Sequence, residues 1–224
     1  ARCQHSKPNA STGDAYVHHP GSMDGTGKFY LGREIAQIMS SSGAMWLERD
    51  EREKEENTRE AIRSMKLSPE SVVADIGAGT GYYTFQVASV TSQGKVYAID
   101  VQEEMLRMLR ERKEKLNDKV VEVVKGSSKS VNLPDNSVDL AFMVDVYHEL
   151  EFPKEMLRSI YAALKKDGRL LLIEYRGEDP SIPIKPLHKT TVVQLNKELK
   201  ANGFELQERG DFLPIQHFLI YRKQ

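Results

Sequence analysis

The sequence predicts an α/β fold, in which a mostly parallel β-sheet carries helices on both faces and ends in an antiparallel hairpin. Two observations lead to this prediction. From residue 67 onward, short apolar runs rich in β-branched residues alternate with stretches of helical periodicity, which is typical of parallel strands buried on both faces. After the last of these helices, two strand-like runs lie only a few residues apart, so we expect them to pair antiparallel.

The predicted elements follow one another in a regular order. The five strands that precede the hairpin cover residues 72–76, 96–99, 120–124, 140–144 and 170–173. Helices are predicted at residues 83–90, 103–116, 153–164 and 191–199. The two strands of the hairpin are predicted at residues 204–207 and 212–221. A chain of 224 residues is long enough for one such domain.

The chain before the sheet divides into two further segments. Residues 1–28 are rich in Ser, Gly, Pro, Asn and His without hydrophobic periodicity, which predicts a flexible or draped segment. Residues 29–66 are predicted to form a helical extension, because apolar residues recur at roughly helical spacing in its first half. This extension either packs on the domain or forms a lid over a pocket. Within it, residues 48–60 are almost entirely charged, which indicates a solvated helix.

Composition excludes several classes of protein. The 32 Lys and Arg residues balance 33 Asp and Glu residues, so no net positive field attracts nucleic acid, and none is expected as a partner. The single cysteine, Cys3, cannot form an intramolecular disulfide. No apolar run approaches the roughly 20 residues that span a bilayer, so we expect a soluble protein. Because the chain begins with Ala1, it is either trimmed or the mature form of a targeted or exported protein, and the compartment stays open.

The strongest local signal is a glycine-rich loop between a predicted strand and a predicted helix. Gly77, Gly79 and Gly81 remove side chains where a ligand approaches the backbone, and the helix start offers free N–H groups. A dinucleotide-binding loop would have its third glycine at position 82, where this chain has Tyr82. Asp75 precedes the loop and disfavours phosphate. A carboxylate there suits a ligand that carries an ammonium group, such as the methionine part of S-adenosylmethionine.

A second acidic residue, Asp100, ends the next strand, 19 residues after Gly81. Its carboxylate can accept hydrogen bonds from both hydroxyls of a ribose. It could instead cap the helix that follows. The two roles are compatible, and we favour the ribose role because the glycine loop stands in register with it.

Together these segments resemble the successive motifs of class I S-adenosylmethionine-dependent methyltransferases. The matching motifs are the loop 75–81, Asp100, the segment 133–139 and the segment 164–170. The resemblance covers about residues 60–222. It implies a Rossmann-like, seven-stranded sheet in the order 3-2-1-4-5-7-6 with helices on both faces, and a methyltransferase domain over residues 67–224. The chain also resembles a bacterial methyltransferase-like group that shares Gly-Arg-Glu-Ile-Ala and Val-Asp-Val-Tyr-His-Glu segments, which includes exported members.

The resemblance implies S-adenosyl-L-methionine as cofactor and S-adenosyl-L-homocysteine as product. The loop 75–81 would hold the methionine part, Asp100 the ribose, and Val101 with the segment 126–128 would border the adenine. Ser127 stands where many relatives have Asp. The residues expected to bind the cofactor are Asp75, Gly77, Ala78, Gly79, Thr80, Gly81, Tyr83, Asp100, Val101, Gly126, Ser127, Ser128 and Asp145.

The methyl acceptor is expected beyond the carboxyl ends of the fourth and fifth strands, where open α/β sheets bind their ligands. A base that works near neutral pH would be His148 or His188. The candidate catalytic residues are His148, His188, Tyr147 and Asp145, and the candidate acceptor-binding residues are Tyr30, Trp46, Glu149, Tyr175, Arg176 and His217. Structural roles remain open for four of them: Glu149 as a helix-start acid, His188 as a local cap or pairing residue, Arg176 as a partner of Glu178, and His217 as a core or edge histidine.

The predicted function is methyl transfer to a small-molecule acceptor by in-line displacement at an O, N or S atom. A metal held by Asp145, His148 and Glu149 is not expected, because the several Asp or Asn ligands of metal-dependent methylation are not visible. Two alternatives remain: a non-catalytic protein that binds the same cofactor, and a nicotinamide-dependent oxidoreductase, which Tyr82 disfavours. The oligomeric state stays open.

Overall fold

A small antiparallel sheet begins the part of the chain that the computed structural model describes, residues 14–224. Its strands are β1 (Tyr16–His18), β2 (Gly25–Tyr30) and β3 (Arg33–Ala36), in the order β1-β2-β3. The two residues between β2 and β3, Leu31 and Gly32, both have a positive φ. A two-residue turn of this kind matches the natural twist of paired strands.

This sheet corrects two predictions. The helix predicted from residue 29 is wrong for residues 29–36, which belong to the β2–β3 hairpin. Over so short a segment the apolar positions fit a strand as well as a helix, and Tyr30 and Ile35 pack together with Tyr16 in a core of their own. The flexible segment predicted at residues 1–28 is also wrong from Tyr16 onward, where strands form. Its earlier part, with Cys3 and His5, lies outside the described residues.

Three short helices lead to the main sheet after a 3₁₀ turn at Ser41–Gly43. They are α1 (Ala44–Leu47), α2 (Arg52–Glu56) and α3 (Thr58–Ser64). Asn57, in the left-handed conformation with φ +52°, separates α2 from α3. The charged stretch is therefore not one solvated helix, and Arg52 and Glu56 are buried.

The main sheet has seven strands with helices between them. In chain order its elements are β4 (Val72–Ile76), α4 (Tyr82–Val90), β5 (Lys95–Asp100), α5 (Glu103–Lys115), β6 (Val121–Lys125), β7 (Val138–Val144), α6 (Pro153–Ala163), β8 (Leu164–Tyr175), α7 (Val192–Ala201), β9 (Phe204–Gly210) and β10 (Gln216–Lys223). Two 3₁₀ turns lie at Tyr147–Glu149 and Pro186–His188. The strands are ordered β6-β5-β4-β7-β8-β10-β9, and β10 runs antiparallel to both of its neighbours. This confirms the predicted order and the predicted C-terminal hairpin.

Helices cover both faces of this sheet because its central strands are apolar on both sides. Along β8, Leu170 and Leu172 pack in the core formed with α6 and α7, whereas Leu171 and Ile173 pack in the core formed with α3 and α4. This is the alternation that the period of a strand requires. Within the described residues, no helix is both long enough and apolar enough to cross a membrane.

An ion pair anchors the N-terminal sheet to the main sheet's helical layer. The guanidinium of Arg33 on β3 donates to both carboxylate oxygens of Glu198 on α7, with both N–O distances 2.7 Å. Glu198 is fully buried, and a bidentate pair of this kind fixes geometry as well as charge. The pair holds β3 beside the carboxyl ends of the main strands, where the cavity described next lies.

Candidate active site

A cavity of about 550 Å³ opens at the carboxyl edge of the main sheet. The segment that follows β3 covers it from one side. Its lining from the main sheet includes Gly77, Gly79, Asp100, Val101, Ser127, Ser128, Asp145, His148, Glu149, Tyr175 and His188, and its lining from the N-terminal segment includes Ile38, Met39, Trp46, Leu47, Arg49 and Arg52. Most of the residues that the sequence singled out therefore meet in one place.

The glycine loop after β4 presents bare backbone to this cavity. The N–H groups of Gly77 and Ala78 both donate to the carbonyl oxygen of Ile99, at 2.8 and 2.9 Å, which ties the loop to the end of β5. Gly77 has a φ of +73°, and a Cβ at this position would lie 2.6 Å from Cγ2 of Val146. Any side chain would clash there, so only glycine fits.

Asp100 links the glycine loop to the start of α5. Its Oδ2 accepts from the N–H of Gly79 at 2.9 Å, and its Oδ1 accepts from the N–H groups of Val101 at 2.8 Å and Gln102 at 3.0 Å. The N-cap of α5 is Gln102, without a side-chain cap hydrogen bond, so Asp100 braces the turn before the helix and does not cap it. A carboxylate has about four acceptor sites, and three are used, so Asp100 keeps acceptor capacity for a group in the cavity.

Asp75 lies behind the loop and does not line the cavity. Its Oδ2 accepts from Oγ1 of Thr84 at 2.7 Å. Burial raises the pKa of Asp75 to about 7, although the hydrogen bond from Thr84 opposes the shift and the nearby Asp100 adds to it. Since Asp75 does not reach the cavity, it would act on a ligand there through its charge and not by direct contact. A positive charge on the ligand would in turn favour the ionised form of Asp75.

Asp145 follows β7 in a strained conformation, with φ +54°. Its Oδ1 accepts from the N–H of Tyr175 at 3.2 Å and its Oδ2 from Nε2 of Gln216 at 2.7 Å. Burial, and then repulsion from Glu56 and Glu174, hold the pKa of Asp145 well above its usual range. A left-handed residue other than glycine that is fixed in this way is a common feature of functional sites.

His148 forms the polar end of the cavity with Glu174, Glu149 and His188. Its Nδ1 lies 2.9 Å from Oε2 of Glu174, and its backbone N–H donates to Oε1 of the same carboxylate at 3.2 Å. This pairing places the ring proton on Nδ1 and leaves the lone pair on Nε2. Nε2 lies 3.9 Å from Oε2 of Glu149, and the ring centre lies 5.0 Å from that of His188.

The environment raises the pKa values of His148 and Glu149 and lowers that of His188. Burial opposes a charge on His148, but attraction to Glu174 outweighs it and raises the pKa of this imidazole. Burial, together with the charge on His148, lowers the pKa of His188. Burial raises the pKa of Glu149 to about 7. Perturbed groups that face one cavity are typical of active sites.

The N-terminal segment is hydrogen-bonded across the cavity. The N–H of Met39 donates to Oε2 of Glu149 at 3.1 Å, and Nε2 of Gln102 donates to the carbonyl oxygen of Met39 at 3.0 Å. Farther along, Oγ1 of Thr80 donates to Oε1 of Glu48 at 2.6 Å. These contacts join the segment to the polar end and to the glycine loop, which is the arrangement that a lid would have.

Two buried charges in this segment were missed by sequence analysis. Oε1 of Glu56 accepts from Nε of Arg52 at 3.3 Å and from Nε2 of Gln216 at 3.1 Å, while its Oε2 accepts from Nη2 of Arg49 at 2.7 Å. The spacing of these charges is also typical of a solvated helix face, and only contacts with distant residues such as Gln216 show that Arg52 and Glu56 are buried. A buried carboxylate needs such partners, because an unpaired one is strongly destabilising.

Several predicted cofactor residues lie outside the cavity lining. They are Asp75, Ala78, Thr80, Gly81, Tyr83 and Gly126. Tyr83 is buried against Phe142, with ring centres 5.9 Å apart. Gly81 precedes α4, where a Cβ would lie 2.6 Å from the ring of Phe85. These residues shape the loop and the helix behind it.

Four predicted catalytic or acceptor residues also face elsewhere. Tyr147 is fully buried and donates through its hydroxyl to Oε1 of Glu198 at 3.1 Å. The hydroxyl of Tyr30 accepts from Nδ2 of Asn202 at 2.8 Å. Neither side chain lines the cavity, because Tyr147 packs in the core that contains α7 and Tyr30 packs with Tyr16 and Ile35.

The other two are Arg176 and His217. Arg176 donates to the carbonyl oxygens of Leu213 and Pro214, at 2.6 and 3.2 Å. His217 is buried, and its Nε2 lies 2.8 Å from Oε1 of Glu178. The structure therefore supports the structural alternative for His217, and it pairs Arg176 with backbone carbonyls rather than with Glu178.

The strand order, the glycine loop after the first strand and the acid after the second define the class I methyltransferase fold. Residues 67–216 match a family described as "Methyltransferase domain", and the chain belongs to this family. Family and fold thus confirm the resemblance to class I S-adenosylmethionine-dependent methyltransferases that the sequence motifs indicated.

Similar proteins agree with this assignment. The Ubiquinone/menaquinone biosynthesis C-methyltransferase UbiE of Yersinia enterocolitica is 35% identical over 155 residues, 67% of this chain and 56% of that protein. The Demethylmenaquinone methyltransferase of Bacillus mycoides is 27% identical over 117 residues, 52% of this chain and 49% of that protein. The chain thus spans about half the length of these curated relatives. A crystal structure of a SAM dependent methyltransferase from Aquifex aeolicus superposes with a TM-score of 0.77 and 27% identity, covering 82% of this chain and 98% of that one.

Proposed function

We propose that this chain transfers a methyl group from S-adenosyl-L-methionine to a small-molecule acceptor and releases S-adenosyl-L-homocysteine. One observation carries the proposal: the glycine loop with Asp100 and the imidazole of His148, which Glu174 holds from behind, line the same cavity of about 550 Å³. That volume lies within the range of roughly 300–1,000 Å³ that is usual for small-ligand sites.

The residues of the loop fit the cofactor that the family uses. Gly77 and Gly79 present backbone without side chains in the lining of the cavity, and Asp100 keeps acceptor capacity for a ribose hydroxyl. Val101, Ser127 and Ser128 line the adjoining wall, where adenine would lie. When bound, the cofactor supplies a methyl group that is activated by a sulfonium centre.

The rest of the lining indicates what the acceptor is like. Ile38, Trp46, Leu47 and Ile184 give it an apolar surface, which suits an acceptor whose body is largely apolar. Relatives named for ubiquinone and menaquinone biosynthesis support an acceptor of this kind. Its reactive group would meet the polar end of the cavity.

At that end we assign the withdrawal of the acceptor's proton to His148. Within the described residues its Nε2 accepts no hydrogen bond, so the lone pair is available to an acceptor group. Glu174 is a positioning residue: it holds the ring through Nδ1 and stabilises the positive charge that the ring gains. Asp145 and Tyr175, with Ile38, Met39 and Trp46 of the N-terminal segment, would hold the two reactants in line and keep out water. The reacting atoms would lie about 3–3.5 Å apart.

The proposal is tested by incubating the purified chain with a metabolite extract and isotopically labelled S-adenosylmethionine, then identifying labelled products by mass spectrometry. We expect a labelled small molecule, its loss in His148→Gln, and full retention in the control Arg107→Gln, which alters an exposed residue of α5. Fragmentation of the product identifies the methylated atom. Binding of the cofactor without any labelled product, over extracts from several sources, would favour the non-catalytic alternative.

A further inference from the structure

Three side chains that commonly bind metals meet at the polar end of the cavity. His148, Glu149 and His188 each offer one ligand atom, and these atoms all lie within 4.8 Å of one another. We propose that they bind a divalent transition-metal ion such as Zn²⁺, with an open coordination position on the side of the cavity. Sequence analysis weighed a metal only with Asp145 as a ligand, and did not expect one.

The donor set selects the class of metal. Two imidazoles and one carboxylate form a ligand set that catalytic zinc sites use, with the fourth position left to water or substrate. Magnesium and calcium prefer oxygen ligands throughout. The site therefore favours a first-row transition metal over the magnesium of catechol-type methylation.

The present distances require only a small contraction. Tetrahedral zinc with bonds of about 2.0–2.2 Å places its ligand atoms roughly 3.3–3.6 Å apart. Nε2 of His148 and Oε2 of Glu149 are 3.9 Å apart, and the widest separation in the group is at most 4.8 Å. His188 ends a short 3₁₀ turn, is only partly buried, and makes no side-chain hydrogen bond within the described residues. It is free to close the gap of about 1.5 Å or less.

A second observation points to a ligand role for His148. A histidine that binds a metal through one ring nitrogen usually donates its other N–H to a carboxylate, which fixes the tautomer and the orientation of the ring. His148 does this through Nδ1, 2.9 Å from the fully buried Glu174. The remaining nitrogen, Nε2, lies 3.9 Å from Oε2 of Glu149 and is the one left to bind a metal.

In the metal-loaded protein, the metal would promote loss of the acceptor's proton in place of the free His148 imidazole. This role rests on the proposed function. A hydroxyl or thiol of the acceptor binds at the open position. Its O–H or S–H bond breaks, the proton leaves to water, and the electron pair stays on the O or S atom, so no oxidation or reduction occurs. A metal lowers the pKa of such a group strongly.

The test uses the full chain, without an affinity tag and after dialysis against EDTA. Zn²⁺ is titrated by calorimetry, and Co²⁺ is followed by its visible absorption, which reports tetrahedral coordination without any need for activity. We expect one equivalent of each metal to bind, and affinity to fall at least tenfold in His188→Asn and in Glu149→Gln. His18→Asn, which alters an exposed histidine of β1, serves as the matched control and should bind as the wild type does.

Titration of the same samples with S-adenosylhomocysteine separates this inference from the proposed function. If Zn²⁺ and Co²⁺ give no signal, or if His188→Asn binds them as tightly as the wild type, the metal site is refuted while cofactor binding and methyl transfer can stand. If the metals bind through the three residues and S-adenosylhomocysteine does not bind, the metal site stands and the methyltransferase role fails.

Discussion

Replacing Gly77 by alanine tests how closely the glycine loop is packed. With φ +73° and a new Cβ 2.6 Å from Cγ2 of Val146, the variant carries two separate costs. The left-handed conformation costs an L-residue roughly 1–2 kcal/mol, and a methyl group forced into packed side chains costs typically about 1–3 kcal/mol more. We expect Gly77→Ala to lower the free energy of unfolding by about 2–5 kcal/mol.

Gly32 provides the matched control. It has a φ of +91°, but a Cβ there would have no atom within 4 Å. Gly32→Ala should therefore show only the conformational cost of about 1–2 kcal/mol. Truncating Val146 should relieve the clash. When Gly77→Ala is introduced into the Val146→Ala variant, the loss in free energy of unfolding that it causes should therefore fall towards the loss caused by Gly32→Ala.

Urea denaturation followed by circular dichroism measures these free energies, and calorimetry with S-adenosylhomocysteine measures the consequence for binding. Because the added methyl group pushes the loop into the cavity or away from Val146, the affinity of Gly77→Ala should fall at least tenfold. Gly32→Ala should bind as the wild type does. If the two alanine variants differ by less than about 0.5 kcal/mol and bind the ligand equally well, the tight packing of the loop against Val146 is refuted.

Three further variants test individual side chains. Glu174→Gln keeps a hydrogen-bond acceptor for Nδ1 of His148 but removes the negative charge. We therefore expect kcat to fall at least tenfold, with little change in cofactor affinity. An unchanged pH profile of kcat would contradict the role of Glu174 in stabilising the charge on His148. The pKa of Asp75 is raised to about 7 by burial, above its value in the unfolded chain, so its contribution to stability is complete below about pH 4 and is lost as the pH rises through about 7. Thermal unfolding from pH 6 to 8.5 should show the wild type losing stability relative to Asp75→Asn, and parallel curves would argue against the shift. Tyr147→Phe removes a hydroxyl that donates to Glu198 outside the cavity. It should lower the free energy of unfolding by about 1 kcal/mol and leave kcat nearly unchanged. A large loss of kcat would show instead that Tyr147 takes part in catalysis.

The main sheet could be predicted because its signals are local. Short apolar runs located every strand to within a few residues except at β8 and the hairpin strands. The loop 75–81 with Asp100 located one wall of the cavity, through Gly77, Gly79 and Asp100. The N-terminal hairpin could not be read in this way. Its strands are short, rich in glycine, and stabilised by packing of Tyr16, Tyr30 and Ile35, which are 14 and 5 residues apart in the chain.

The polar end of the site was predicted only in part, because it depends on contacts between distant segments. His148 and His188 were each candidates, but their approach to 5.0 Å depends on the path of the loop after β8. A bridge between Arg176 and Thr190 closes that loop. The burial of Glu56 and Arg52 depends on Gln216, which is 160 residues from Glu56 along the chain. Spacing within a helix carries no information about such partners.

Calorimetry with S-adenosylhomocysteine and NAD, on the wild type and on Asp100→Ala, is the most direct measurement of whether the loop and Asp100 bind a sulfonium nucleoside or its product. We expect one molecule of S-adenosylhomocysteine per wild-type chain, an affinity at least tenfold lower in Asp100→Ala, and no heat with NAD. Heat with NAD alone, or equal binding of S-adenosylhomocysteine to both proteins, would contradict the account.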